Sequence, residues 1–200
     1  MQCISIDRCR SWLSPSGLAL DADLWISTHE TGKSQDAIFV PIEGRYTALS
    51  EICREALDWL PAGGQRLLMV RHWQSYPPDH LRLFQLIRRG CGVIETLTDA
   101  PGHLFESTKL ADTHYDDRPE IDLDEEATAM WLMALMLDWT WEGFALVEGC
   151  KDVVTLGDGF LKFETEDLGR LAAAKVLVDR WGLKWRTDFP WTSAPGSQLQ

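Results

Sequence analysis

The sequence predicts an α+β fold, in which a mixed, largely antiparallel sheet packs against about four helices. Short apolar runs rich in β-branched residues recur along the 200-residue chain, and longer runs with helical spacing lie between them. An Asp-Gly turn joins two of the short runs, as in a β-hairpin. An α/β sandwich is the second choice, because residues 37–97 also fit alternating strands and helices around a parallel sheet.

The first predicted strands are residues 24–28 (LWIST) and 37–42 (AIFVPI). The polar segment HETGKSQD between them is rich in turn-forming residues and predicts that the two strands form a hairpin. Proline cannot donate a ladder hydrogen bond, so Pro41 favours an edge strand or the end of a strand.

Two helices and two strands are predicted next. The apolar residues of 47–60 have helical spacing, and Pro61 with the following glycines ends that helix. Residues 66–72 form a short apolar run typical of a buried strand. A second helix begins at the Pro77-Pro78 pair and ends at Gly90, and Val93 begins another strand.

The second half begins with a helix over residues 125–138 that is apolar on most of its circumference, which predicts burial on several sides. A strand at 141–147 and a hairpin turning at Gly157-Asp158-Gly159 follow. Thr165 is the expected cap of a last helix over 166–181, which Gly182 ends. Residues 183–187 are expected to form a closing strand.

We expect residues 1–192 to form a single globular domain and residues 193–200 to be a disordered tail. Two similar halves, 19–98 and 123–190, joined by an acidic loop at 99–122, are an alternative description. It depends on Leu57-Asp58-Trp59 and Leu137-Asp138-Trp139, which both end a predicted helix ahead of a strand. Each half also contains two adjacent short predicted strands followed by a helix, so this alternative describes a duplicated strand-strand-helix unit.

Composition restricts the classes of partner. The chain is 45% hydrophobic and carries a net charge of −12 from 19 basic and 31 acidic residues, so nucleic acid and anionic membranes would repel it. No apolar run approaches the roughly 18 residues of a membrane span, and the charged beginning is unlike a secretory signal. Five scattered cysteines indicate reduced thiols and a cytoplasmic protein with no metal site or cofactor.

The stretch Leu67–Ser75 (LLMVRHWQS) runs from an apolar strand into an Arg-His pair. It resembles the phosphate-binding element of the histidine phosphatase family, where an Arg-His-Gly follows a strand. The resemblance implies a phosphoryl-accepting His72, with Arg71 holding phosphate oxygens. It covers nine residues and departs from the family pattern at Trp73, which replaces the glycine. The simpler interpretation is that Arg71 and His72 end a core strand and that His72 is not catalytic.

Residues 116–126 form a dense acidic run. Closely spaced carboxylates repel one another, so we expect them to be exposed and to face a basic partner. A divalent-metal site in a metal-dependent hydrolase is the alternative interpretation of the same residues. The carboxylates predicted to face the partner are those of Asp116, Asp117, Asp122, Asp124 and Glu125.

The chain contains ten tryptophans, a residue type enriched at interface hot spots. Trp185 and Trp191, in the polar segment LKWRTDFPW, are the two predicted to contact a partner. An acidic, Trp-rich chain without a catalytic constellation predicts a non-catalytic cytoplasmic protein-binding module. Its most concrete form is an inhibitor or immunity-type protein against a basic enzyme. A hydrolase, either a phosphatase using His72 or a metal-dependent enzyme at residues 116–126, is the alternative.

Overall fold

The computed structural model describes residues 1–28, 36–42, 48–73, 77–106, 125–157 and 159–188. The helices of these residues are α1 (Ile6–Leu13), α2 (Leu49–Trp59), α3 (Pro78–Gly90), α4 (Glu125–Asp138) and α5 (Leu168–Arg180). The strands are β1 (Gln2–Ile4), β2 (Leu18–Leu20), β3 (Ile26–Thr28), β4 (Asp36–Pro41), β5 (Gln65–Arg71), β6 (Gly102–Glu106), β7 (Glu142–Val147), β8 (Val153–Gly157) and β9 (Phe160–Thr165).

One seven-stranded sheet in the order β1-β6-β5-β7-β8-β9-β4 organises the chain, and all of its pairings are antiparallel. Helices α2, α3, α4 and α5 bury their apolar sides on one face of the sheet, which we call the helix face. Helix α1 and the β2–β3 hairpin pack on the opposite face, which we call the hairpin face. The predicted α+β class is confirmed, with α1 as a fifth helix.

Helix α4 is central to the core on the helix face, as its apolar circumference predicts. Leu132, Met133 and Met136 are fully buried, and Leu137 is almost so. The side of α4 that carries Trp131 faces outward, and that side chain is 49% exposed. A helix with few polar positions needs neighbours on several sides, and α2, α3 and the strands β6, β7 and β8 supply them.

The predicted hairpin between residues 24–28 and 37–42 is wrong. Strand β3 pairs instead with the short β2, in a register that joins Leu20 to Ile26. Strand β4 pairs with β9, more than a hundred residues later, and lies at the edge of the large sheet. Alternating apolar residues identify a strand but not its partner, whereas Pro41 does lie at the end of an edge strand, as predicted.

Strand β6 begins nine residues after the strand predicted at Val93. The chain reverses at Gly92, which has a φ of +78°, and the amide of Val93 donates to the carbonyl of Arg88, so these residues close helix α3. Gly102 then begins β6 at a place where a side chain would collide with Cys9 and Ile4. The sequence between them is therefore a packed loop.

Local signals place the C-terminal hairpin and helix. Strands β8 and β9 pair from Gly157 and Phe160 onward, so the hairpin predicted at 157–159 is confirmed. Asp167, rather than the predicted Thr165, caps α5 by accepting from the amides of Gly169 and Arg170. The expected closing strand is reduced to a single bridge between Phe39 and Arg186.

Both parts of the chain contribute to the single sheet, in which β7, β8 and β9 lie between β5 and β4. All five cysteines lie in described residues and are free thiols. Burial raises the pKa of Cys9 to about 12 and also raises that of Cys53. None of the helices in the described residues combines the length and apolar character needed to cross a bilayer.

His103 is fully buried in β6, where its Nδ1 atom lies 3.2 Å from the carbonyl oxygen of Leu68. Burial lowers the pKa of His103 to about 3, and the Arg88 guanidinium acts in the same direction. The imidazole is therefore neutral in the folded protein at any ordinary pH. In the unfolded chain it takes up a proton as the pH falls through about 6.5.

Stability should consequently fall on acidification below about pH 6.5, because the unfolded state binds one more proton than the folded state. The contribution of His103 is at most about 1.4 kcal/mol per pH unit. Urea unfolding at pH 6.5, 5.5 and 4.5 should show a shallower pH dependence for His103→Asn, whose amide can still donate to the Leu68 carbonyl. Equal slopes in the two proteins would contradict this assignment.

Candidate functional site

A groove of about 270 Å³ lies on the hairpin face, between the β2–β3 hairpin and strands β7, β8, β9 and β4. The hairpin packs over the part of the sheet formed by β5, β6 and β7, and the groove begins where that packing ends. The lining side chains are those of Trp25, Ile26, Phe39, Phe144, Thr155, Phe160, Lys162 and Glu164. This combination of apolar walls and a few polar groups is typical of binding sites.

Strand register builds the floor of the groove as a single row of side chains. Phe144 of β7 is opposite Thr155 of β8, Thr155 is opposite Lys162 of β9, and Lys162 is opposite Phe39 of β4. Side chains alternate between faces along a strand, so Phe160 and Glu164 flank Lys162 on the same face. The aromatic rings of Phe39 and Phe160 lie 5.9 Å apart between centroids.

A charged pair lies in the middle of this row. The Lys162 ammonium is 2.5 Å from Oε1 of Glu164, and the Thr155 hydroxyl donates to Oε2 of the same carboxylate at 3.1 Å. The ammonium also lies 5.3 Å from the centroid of the Phe39 ring, within cation–π range. The Lys162 and Glu164 side chains are only 24% and 19% exposed, so water screens the pair incompletely.

Arg71, buried at the end of β5, holds the hairpin against the sheet. Its guanidinium stacks on Trp25, with Cζ 3.6 Å from the ring centroid, and donates to the carbonyl of Asp23 and to Glu142 at 3.1 Å. Burial lowers the pKa of Arg71, and the carboxylates of Glu142, Asp21 and Asp23 oppose that shift. Trp25 thus connects the groove to a second polar cluster formed by Arg71, His72 and Glu142.

His72 is about half exposed and follows Arg71 directly. Its Nε2 atom lies 2.9 Å from Nη2 of Arg71 and 3.5 Å from Oε2 of Glu142. A guanidinium can only donate, so when Nε2 accepts from Arg71 its lone pair is already engaged. This geometry favours a role in holding the strand end over attack on a phosphoryl group.

Unusual backbone conformations surround the same cluster. In the described part of the chain, three residues other than glycine have positive φ: Leu24 at 62°, His72 at 51° and Thr140 at 56°. They lie beside Trp25, Arg71 and the start of β7. The turn at Leu24 is stabilised by the Asp21 carboxylate, which accepts from the amides of Asp23 and Trp25. Such conformations cost about 1–3 kcal/mol each and are concentrated at functional sites.

Most of the carboxylates predicted to face a partner lie outside the described residues. This applies to Asp116, Asp117, Asp122, Asp124 and also to Trp191. Glu125 begins α4, where it pairs with the amino group of Met1 and accepts from the amide of Glu106 at 3.3 Å. Among the described residues, no three His, Cys, Asp or Glu side chains are placed to share a metal ion.

Trp185 is half-buried and packs against the helix-face core, with Lys175 Nζ 4.4 Å from the centroid of its ring. The next residue, Arg186, exchanges two backbone hydrogen bonds with Phe39 of the groove. The structure therefore places Trp185 beside the strand that forms one wall of the groove. Of the residues singled out in the sequence, His72 therefore lies in the polar cluster beside Trp25, whereas Trp185 packs on the opposite face of the sheet from the groove.

Sequence reasoning missed the groove residues Trp25, Phe39, Thr155, Lys162 and Glu164. A signal was present in residues 160–165, where alternation puts Phe160, Lys162 and Glu164 on one face and the apolar Leu161 and Phe163 on the other. The remaining residues come from segments that are distant along the chain.

Comparison of the chain with protein-family models, curated proteins and solved structures finds no match.

Proposed function

We propose that this chain is a non-catalytic cytoplasmic module that binds a basic protein, in the manner of an inhibitor or immunity-type protein. The observation that carries the proposal is the groove on the hairpin face, where aromatic side chains surround the Glu164 carboxylate. This carboxylate pairs with Lys162 and accepts a hydrogen bond from Thr155. Aromatic side chains and a partly buried acid are typical of binding surfaces for cationic groups.

Net charge supports the same partner class. At −12 the chain attracts a basic protein over long range, and this attraction raises the association rate at low ionic strength. The acidic run from Asp116 to Glu126, together with Trp185 and Trp191, is proposed as a further partner-facing set. Glu125 pairs with Met1 by the β1 edge of the sheet and Trp185 packs on the helix face, so neither of these two lies in the groove. Nε2 of His72 lies 2.9 Å from Nη2 of Arg71, and when it accepts from that guanidinium its lone pair is not available for attack, which supports a binding role over the alternative phosphatase role.

Site-specific photo-cross-linking tests the proposal. A photoreactive phenylalanine analogue replaces Phe39 in the groove, and the same analogue at Val176, which is 69% exposed on α5, is the matched control. We expect the Phe39 variant alone to cross-link a basic protein when cell extract is irradiated, with a yield that falls as salt is added before irradiation. Equal products from both positions, or an acidic product, would contradict the proposal.

A further inference from the structure

We propose that the groove contains a binding pocket for a cationic side chain, and that Lys162 occupies it from within when no partner is bound. The occupant would be an arginine or lysine side chain of the basic protein, so the inference rests on the proposed function and specifies its contact. The pocket is formed by Glu164, Thr155 and the rings of Phe39, Phe160 and Trp25.

The contacts of Lys162 show what the pocket recognises. Its ammonium has the two partners that a bound cation would need, a carboxylate oxygen at 2.5 Å and an aromatic face at 5.3 Å. It reaches them from the middle of a row whose end members, Phe39 and Phe144, are apolar. Lys162 thus occupies, from within the chain, a position whose carboxylate and aromatic ring are suited to binding a cation.

An incoming guanidinium would improve on the resident ammonium. A planar guanidinium stacks on aromatic rings and donates two parallel hydrogen bonds to a carboxylate, whereas an ammonium acts as a compact point charge. The structure itself contains such a stack, because the Arg71 guanidinium lies 3.6 Å from the centroid of the Trp25 ring. On binding, Lys162, already 24% exposed, would turn toward solvent and leave Glu164 to the guest.

Lys162 would therefore act as an internal competitor. It stays paired with Glu164 in the free protein, so an incoming cation binds only if it interacts with Glu164 more strongly than Lys162 does. Removing Lys162 should leave the Glu164 carboxylate, still hydrogen-bonded to Thr155, without a cation among the aromatic rings and so strengthen the binding of small cations. The groove volume of about 270 Å³ fits one side chain rather than a folded segment.

The test uses N-acetyl-arginine methylamide as the probe and the neutral N-acetyl-citrulline methylamide as the ligand control. Binding is followed by NMR at low salt through the indole N–H signal of Trp25, assigned with a Trp25→Phe variant. We expect Lys162→Met to bind the arginine probe at least tenfold more tightly than the unchanged protein and to ignore the citrulline analogue. Lys162→Gln provides a polar second variant should Lys162→Met fold poorly.

Two further variants complete the design. Adding Glu164→Gln to Lys162→Met should abolish binding of the arginine probe, because the carboxylate is then lost. Lys151→Met removes a lysine from another ion pair, Lys151–Glu166 at 3.0 Å, and should leave probe binding unchanged. The proposed pocket would be contradicted if Lys162→Met and Lys162→Gln bound the arginine probe no more tightly than the unchanged protein. Equal binding of the arginine and citrulline ligands would contradict it as well. A basic protein cross-linked at Phe39 would still support the proposed function in that case.

Discussion

Replacing Leu132 with alanine is expected to lower the free energy of unfolding by about 2–5 kcal/mol, through lost burial and the cavity left behind. Leu132 is fully buried in α4, the helix that contacts α2, α3 and the sheet together. The change should appear in urea melts as a lower midpoint with an unchanged slope. Leu168→Ala is the matched control, since Leu168 is 68% exposed and its loss should cost under about 0.5 kcal/mol. Similar losses in the two variants would show that α4 is peripheral.

The second large effect is expected at Arg71. Arg71→Ala removes the stack on Trp25 and the bond to the Asp23 carbonyl, and it leaves Glu142, which is 27% exposed, without its cation. We expect a loss of about 3 kcal/mol, at the low end for breaking a buried ion pair because water reaches Glu142. Urea melts give the loss, and hydrogen exchange should show faster exchange in β2 and β3.

Arg71→Lys separates the two contributions of this guanidinium. It keeps a positive charge near Glu142 but lacks the planar group that stacks on Trp25. Its stability should lie between those of the unchanged protein and Arg71→Ala, with hydrogen exchange in the hairpin still accelerated. Full stability with normal exchange in Arg71→Ala would show that the hairpin is held by other contacts.

Short-range sequence signals predicted the parts of this fold that depend on neighbouring residues. The turn at 157–159 joins strands that are adjacent along the chain, and the apolar circumference of α4 requires burial whatever its neighbours are. The pairing of β4 with β9 has no such local signal, because alternation along Ile38–Val40 fits any neighbouring strand. Helix α1 was missed although Ile6, Cys9 and Leu13 recur at helical spacing, because eight residues supply only about two turns of that pattern.

The candidate site was harder to predict than the fold. Phe39, Thr155 and Lys162 form one row only because β8, β9 and β4 are neighbours in that order. Trp25 reaches this row through a turn in which Leu24 has a positive φ. Glycine and asparagine adopt that conformation far more readily than leucine, so the sequence does not predict the turn. A histidine at a strand end such as His72 suggests catalysis from the sequence alone. The Lys162–Glu164 pair cannot be told from an ordinary surface ion pair until its burial and aromatic neighbours are known.

The sheet order has a consequence for synthesis of the protein on the ribosome. Strand β4 ends at Pro41, but its partner β9 is complete only at Thr165. At about 5–20 residues per second, roughly 6–25 s pass between the synthesis of Pro41 and that of Thr165. During that interval the core-facing Ile38 and Val40 have no finished sheet to join. Strand β4 is therefore open to premature association until the last third of the chain has been synthesised.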